Sequence, residues 1–155
     1  MPRGKSINRK QKEPDAVYKS RVVTKMINMV MQGGKKSLAE RLIYTTLGNL
    51  NEDPKEARKF FEDAVKNVMP DMEVRSRRVG GANYQIPVPV KHDRSETLAL
   101  RWIIDAAKAQ KGADFVTILT RELKNAYGGE GSAVKKKVDT HRMADANRAF
   151  AHFRW

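Results

Sequence analysis

The chain has 155 residues, which is enough for one domain with a hydrophobic core. Lysine and arginine number 31 against 18 acidic residues, so the formal charge is +13 and a polyanion, most commonly nucleic acid, is the expected partner. The absence of cysteine excludes disulfide bonds, cysteine-ligated zinc and thiol catalysis. No apolar run approaches the length that crosses a bilayer, so no membrane partner is expected.

The N-terminal residues 1–12 are strongly basic and contain too few apolar residues to form a core. We predict a disordered arm that orders on a polyanion, with a merely solubilising tail as the alternative. Its candidate RNA-binding residues are Arg3, Lys5, Arg9 and Lys10. The start of the chain lacks the apolar core of a secretory signal, so a cytoplasmic location is expected and an organelle origin stays open.

Apolar residues at helical spacing predict a first helix near residues 20–30 and a second near 38–50, separated by Gly33-Gly34. The intervening GGKKS is similar to a phosphate-binding loop. It lacks the first glycine and the Ser or Thr after the lysine, and it follows a helix, so no nucleotide site is expected. Lys35 and Lys36 remain candidate phosphate contacts, because free N–H groups at a helix start add to their charges.

A third helix is predicted from the sequence Asp53-Pro54-Lys55-Glu56, which combines an N-cap, a proline at the first position and a capping-box glutamate. Its apolar stripe ends at Val68. Phe60 and Phe61 both fall in register with that stripe, so both are expected in the core rather than in a stacking platform.

Two extended runs around Gly80-Gly81 predict a β-hairpin over residues 72–90. Pro87 and Pro89 remove N–H groups from one edge of the second strand, so a ribbon outside any wider sheet is expected. If Val74 and Val88 share a face, the arginines gather on the other face, and that register needs a bulge or an odd-length loop near the tip.

The ribbon carries candidate RNA-binding residues that suit phosphates and a stackable base, namely Arg75, Arg77, Arg78 and Tyr84. The alternative is a solvated arginine face on a structural hairpin.

A fourth helix is predicted after the ribbon, capped by Asp93 with Glu96 or by Ser95, and we expect it to support the ribbon. Lys91 and Arg94 lie at its start, where cations oppose the helix dipole, so a phosphate partner explains them better than the fold does. Asp114 is expected to cap a fifth helix.

The last segment, residues 132–155, is predicted to form a sixth helix, with Val138, Met143 and Phe150 on its apolar side. The aromatic residues at its end either dock on the body or meet a partner. Its candidate RNA-binding residues are Lys135, Lys136, Lys137, Arg142 and Arg148.

No catalytic arrangement emerges from the sequence. The three histidines are scattered, and His141 and His152 lie about three helical turns apart, too far to share a metal. No nucleophile elbow, dinucleotide glycine pattern or HExxH motif occurs, so we expect a binding protein without catalytic residues, cofactor or metal.

Three stretches carry a resemblance to a known family: VRSRRVGGANYQIPVPV at 74–90, LALRW at 98–102 and THRMADANRAFAHFRW at 140–155. They resemble the bacterial-type small-subunit ribosomal protein number seven family. The resemblance implies a helical RNA-binding protein with one protruding β-ribbon. It also implies contact with small-subunit ribosomal RNA and neighbouring ribosomal proteins, a role in organising the subunit head, and a hairpin near the exit-site tRNA and the mRNA path.

The combined expectation is a mainly α fold, a bundle of about six helices with a two-stranded β-hairpin between the third and fourth. Residues 13–155, including the hairpin at 72–90, would form a single helical RNA-binding domain behind the arm. The alternative function is an architectural DNA-binding protein with a β-ribbon arm. A more distant option, an RNA-modifying enzyme, would need a glycine-rich cofactor loop after a strand.

Overall fold

Residues 13–153 are described by a computed structural model, in which a hairpin interrupts a series of α-helices. The elements in chain order are α1 (Arg21–Val30), α2 (Lys36–Gly48), α3 (Pro54–Val68), β1 (Met72–Val79), β2 (Ala82–Pro89), α4 (His92–Ala109), α5 (Phe115–Tyr127), α6 (Ser132–Ala146) and a 3-10 helix (Arg148–Phe153). The predicted fold class and the place of the ribbon are confirmed. The arm and its candidates Arg3, Lys5, Arg9 and Lys10 lie outside the described residues.

Local sequence signals explain where α3 begins. Asp53 caps the helix, because its Oδ1 accepts a hydrogen bond from the Lys55 backbone N–H at 2.9 Å, and Pro54 occupies the first position as predicted. The capping-box role predicted for Glu56 is wrong. Asn51 Oδ1 accepts the Asp53 N–H at 3.0 Å, and Glu56 Oε2 instead accepts from Asn51 Nδ2 at 2.6 Å.

The hydrophobic core lies between α1, α2, α3, α4 and α5, and its largest buried side chains include Phe61, Met26, Leu100 and Leu119. The prediction of a core position for Phe60 is wrong. Phe60 is half-buried, and its ring stacks on Tyr127 with centroids 4.1 Å apart. Within residues 13–153 no helix combines the length and apolarity that crossing a bilayer requires.

The ribbon turns through Gly80 and Gly81, whose φ angles of +58° and +93° suit a two-residue hairpin loop. In the observed register Arg75 pairs with Ile86 and Val74 pairs with Pro87. The interpretation that placed Val74 and Val88 on one face is therefore wrong, because a two-residue turn shifts the register by one position and needs no bulge. Among the described residues the sheet has two strands, as expected.

The ribbon packs mainly against α6 and the 3-10 helix, and the support predicted from α4 is observed only at the base of the ribbon, where one arginine of α4 pairs with β1. The prediction of one continuous sixth helix over residues 132–155 is also wrong in detail, since α6 ends at Ala146 and the chain continues as a 3-10 helix. Val138 and Met143 are exposed, whereas the small residues Ala133 and Ala144 are buried. Small side chains on the inner side of α6 allow it to approach the body closely.

Candidate nucleic-acid interface

One buried carboxylate organises the cations at the base of the ribbon. Glu73 is 7% exposed, and its carboxylate receives two arginines from different elements. Arg75 Nη2 lies 2.7 Å from Glu73 Oε1, and Arg94 Nη2, from the first turn of α4, lies 2.8 Å from Glu73 Oε2. Arg94 Nε also donates to both carboxylate oxygens at 2.9 and 2.8 Å. Because two guanidinium nitrogens of Arg94 bind the same carboxylate, the orientation of that guanidinium group is fixed.

The charge state of Glu73 follows from two opposing effects. Burial raises the pKa of the Glu73 carboxyl, but hydrogen bonds and charge from Arg94 and Arg75 outweigh that cost and hold the pKa below its ordinary value. Glu73 is therefore ionised at neutral pH. Arg75 and Arg94 keep exposed edges while sharing one negative charge, so the three-residue cluster retains a net positive charge for a phosphate.

The ribbon is fastened to the helices beside this cluster. Ser95 Oγ donates to the Pro70 carbonyl at 2.7 Å, and the Asp71 backbone N–H donates to His141 Nε2 at 3.0 Å. Ser95 therefore ties α4 to the residues before β1, and the prediction that either Ser95 or Asp93 with Glu96 caps α4 is wrong. Lys91 occupies the N-cap position without a side-chain cap bond and is exposed.

Tyr84 lies in an aromatic cluster with the 3-10 helix. Its ring centroid is 5.2 Å from that of Phe150 and 5.4 Å from that of Phe153. Phe153 therefore packs within the chain, against the ribbon, whereas Trp155 lies outside the described residues. Tyr84 thus has a packing role, and its predicted stacking on a base stays a prediction. Arg77 and Arg78 are exposed farther along β1, toward the tip.

The lysines of α6 differ in what they contact. Lys137 Nζ donates to the Asn67 carbonyl at 2.9 Å. Asn67 lies in the last turn of α3, so the ammonium group of Lys137 satisfies a carbonyl that has no partner within the helix. Lys135 and Lys136 are exposed. Arg142 pairs with Asp139 at 2.7 Å, and Arg148 is exposed on the 3-10 helix. The outward face of α6 and the 3-10 helix therefore presents cations on packed helices.

Lys35 and Lys36 lie at the start of α2, away from the ribbon and α6. Lys35 is the N-cap residue of α2 and Lys36 begins the helix, so their predicted place at a helix start is confirmed. Lys36 Nζ lies 3.5 Å from Glu40, an exposed pair that holds the side chain weakly. Lys35 and Lys108, near the end of α4, both line an open hollow of about 430 Å³.

The structure thus brings Arg75 and Arg94 together, and it positions Lys91 beside them at the start of α4. Sequence reasoning missed the residue that joins them. Glu73 stands two positions before Arg75 on a strand, so both side chains share a face, and that spacing is a usable signal for an ion pair. The contact with Arg94 could not be read from the sequence, because it depends on how α4 packs against the ribbon.

Comparison with known proteins identifies the family. The family model described as Ribosomal protein S7p/S5e matches residues 2–148. The chain belongs to this ribosomal protein family. A relative from Pelotomaculum thermopropionicum, named "Small ribosomal subunit protein uS7", is 51% identical over 156 residues and is covered completely by the match, as is this chain. A relative of the same name from Oleidesulfovibrio alaskensis is 52% identical, again with both chains fully covered.

A third relative with that name, from Carboxydothermus hydrogenoformans, is 50% identical over 159 residues with full coverage of both chains. The resemblance seen in the ribbon, in LALRW and in the C-terminal run is therefore confirmed. The S7p/S5e family consists of ribosomal proteins, in agreement with the binding character expected from the sequence.

Proposed function

We propose that this chain is a structural component of the small ribosomal subunit in the cytoplasm, where it binds small-subunit ribosomal RNA and organises assembly of the subunit head. We further propose that the ribbon lies near the exit-site tRNA and the mRNA path, and that neighbouring ribosomal proteins contact the body. The observation that carries the proposal is the sequence identity, about half of all positions over the full length of the chain, to proteins named as small-subunit proteins.

The geometry supports a division of roles between body and ribbon. Lys35, Lys36 and the exposed lysines of α6 lie on packed helices, so their charges are preorganised for a rigid site on folded RNA. The cations Arg77 and Arg78 lie beyond the base of the ribbon, toward a two-residue turn. A projecting ribbon suits a ligand that binds and leaves, such as a tRNA.

The ribbon fits the DNA-architectural alternative poorly. Proteins of that class insert an apolar side chain from a ribbon tip between base pairs. Here the tip is Gly80-Gly81, whereas Pro87 and Pro89 pair with Val74 and Met72 at the base. The basic residues remain available for a phosphate backbone, and the family match points to ribosomal RNA as its source.

Binding measurements with three nucleic acids test the proposal. Purified protein is titrated with small-subunit ribosomal RNA, large-subunit ribosomal RNA and duplex DNA at matched length and salt. Preference for the small-subunit RNA is expected, since its folded helices present the site that the body fits. Equal affinity for all three would show general polyanion binding and would overturn the proposal.

A further inference from the structure

A basic cleft lies between the turn at residues 15–20 and the first two turns of α3, away from the residues assigned above. Its volume is about 600 Å³. Four cations line it, namely Lys19, Lys55, Arg58 and Lys59. None of them was among the candidates predicted from the sequence, because the turn and α3 are distant along the chain and only the fold brings them together.

Hydrogen bonds hold the turn in place. Asp15 Oδ2 accepts from the backbone N–H groups of Val17 and Tyr18, both at 3.0 Å, and the Lys19 N–H donates to the Asp15 carbonyl at 2.9 Å. Ser20 Oγ then donates to Glu62 Oε1 at 2.7 Å, which joins the turn to α3. The cleft is therefore a preorganised feature rather than a loop lying on a helix.

Lys19 adopts an uncommon backbone conformation. Among residues 13–153 it is the one non-glycine residue with a positive φ, +49°. Such a conformation costs free energy for a residue with a Cβ, and residues of this kind are concentrated at binding and active sites. Lys19 lines the cleft with this backbone conformation, although a glycine or asparagine would be less strained there.

The carboxylates of the cleft are already engaged. Asp53 caps α3 through the Lys55 N–H, and Glu62 accepts from both Ser20 Oγ and Arg58 Nε, the latter at 2.9 Å. By contrast, the ammonium groups of Lys19, Lys55 and Lys59 form no ion pair within residues 13–153. Apart from the Arg58–Glu62 pair, three cations and the Asp53 carboxylate line the cleft, so its lining keeps a net charge of +2.

We propose that this cleft binds the phosphodiester backbone of an RNA segment. Lys55 and Lys59 are four residues apart on α3, with Cβ atoms about 5–6 Å apart, a spacing that suits neighbouring phosphates on one strand. Val17, 54% exposed, supplies an apolar contact for a ribose or base edge. The arm at residues 1–12 is itself basic and is repelled by the cleft, so charge complementarity favours a polyanion over this segment of the chain.

The inference rests on the proposed function, because it adds a second RNA contact to a ribosomal RNA-binding protein. The first test compares the double variant Lys55→Gln/Lys59→Gln with a matched control, Lys111→Gln/Lys124→Gln. Both remove two exposed lysines, and the control pair lies outside the cleft. Affinity for small-subunit ribosomal RNA is measured over a salt series, and thermal melting checks that each variant folds.

Losing two phosphate contacts reduces the steepness of log affinity against log salt by about 1.4, at ~0.7 per contact on single-stranded RNA. We expect this change for the cleft variant and a smaller one for the control. Equal slopes for the two variants would overturn the inference while leaving the proposed function intact. Failure of the wild-type protein to prefer small-subunit RNA would instead contradict the proposed function.

A second test locates the RNA directly. The chain contains no cysteine, so Val17→Cys introduces a unique thiol at the cleft, to which a hydroxyl-radical source is attached. Cleavage of a defined ribosomal RNA segment from position 17, lost in the Lys55→Gln/Lys59→Gln background, is expected. If the radical source at position 17 cleaves no RNA in assembled subunits, the occupant is not RNA and the inference is wrong. The inference is equally wrong if the double variant loses a neighbouring protein but keeps the wild-type salt slope.

Discussion

Arg94 of α4 and Glu73 of β1 form an ion pair, 2.8 Å from Nη2 to Oε2, that joins the first turn of a helix to the base of the ribbon. The same carboxylate holds Arg75 at 2.7 Å. A single acidic residue thus orients two cations that are separated in sequence, so the ribbon's base depends on Glu73 remaining charged.

The first prediction concerns the pH dependence of stability. The folded pKa of Glu73 lies below the unfolded value near 4.5, so its stabilising contribution is fully present above that value and is lost as the pH falls through the folded pKa. We expect Glu73→Gln to lower the melting temperature at pH 7 and to cost progressively less below pH 4.5. A difference from wild type that stays constant between pH 7 and acid would contradict this assignment.

The second prediction concerns the aromatic cluster. Each ring contact of Tyr84 with Phe150 and Phe153 contributes about 0.5–1.5 kcal/mol, so Tyr84→Ala should lower the free energy of unfolding by about 1–3 kcal/mol. Tyr84→Phe is the matched control, because it keeps the ring. Denaturant unfolding checks the difference, and amide exchange at residues 148–153 should quicken in the alanine variant alone. Equal stability of the two variants would mean that the contacts do not hold the 3-10 helix.

The third prediction concerns the salt dependence of RNA binding. With about six phosphate contacts, log affinity should fall against log salt with a slope of about −4 to −5, at ~0.7 per contact. Removing residues 1–12 should make the slope shallower, because basic residues are lost, while the melting temperature stays the same. An unchanged slope after truncation would show that the arm contributes no contacts.

The fourth prediction separates the ribbon tip from the body. Replacing residues 80–83 by a shorter turn should leave the fold and subunit assembly intact, because Tyr84 and the base of the ribbon keep their contacts. The same change should disturb exit-site tRNA binding or reading-frame maintenance.

The double variant Lys35→Ala/Lys36→Ala should do the reverse. It is expected to weaken assembly by roughly 1–3 kcal/mol, the scale of two charge-assisted contacts. Both variants are assayed for subunit incorporation and for translational fidelity. Loss of incorporation on shortening the tip alone would make the ribbon an anchor and would contradict the division of roles.

The sequence predicted the elements that local chemistry determines. Helix starts at Asp53 and Asp114 and the ribbon around Gly80-Gly81 depend on neighbouring residues, and all three are observed. The family resemblance was visible in stretches that include Arg75 and Tyr84, residues whose contacts organise the base of the ribbon and its docking on the 3-10 helix.

The predictions that failed concern which elements pack together. Alternation alone does not determine the ribbon's register, because a turn of two residues and one of three are both compatible with the same two strands. The orientation of α6 was also missed. Its inner side carries alanines and polar groups such as His141, which accepts a backbone hydrogen bond from Asp71, so the largest apolar residues did not mark the buried side.

The cleft cations were missed for a related reason. Lys19 and Lys59 are 40 residues apart, and each taken alone is an ordinary surface lysine. Their convergence depends on the Ser20–Glu62 hydrogen bond and on the left-handed backbone at Lys19, neither of which has a signature in composition or periodicity.

The most direct test of the central claim is co-sedimentation of the full-length chain with small ribosomal subunits at high salt. Salt weakens each phosphate contact, but the packed helices make several contacts at once within a folded RNA. We therefore predict that enough affinity remains for the protein to stay with the small subunit after high-salt washing, and that it is absent from the large-subunit fraction. Release into the free-protein fraction under those conditions, or equal recovery with both subunits, would contradict the account.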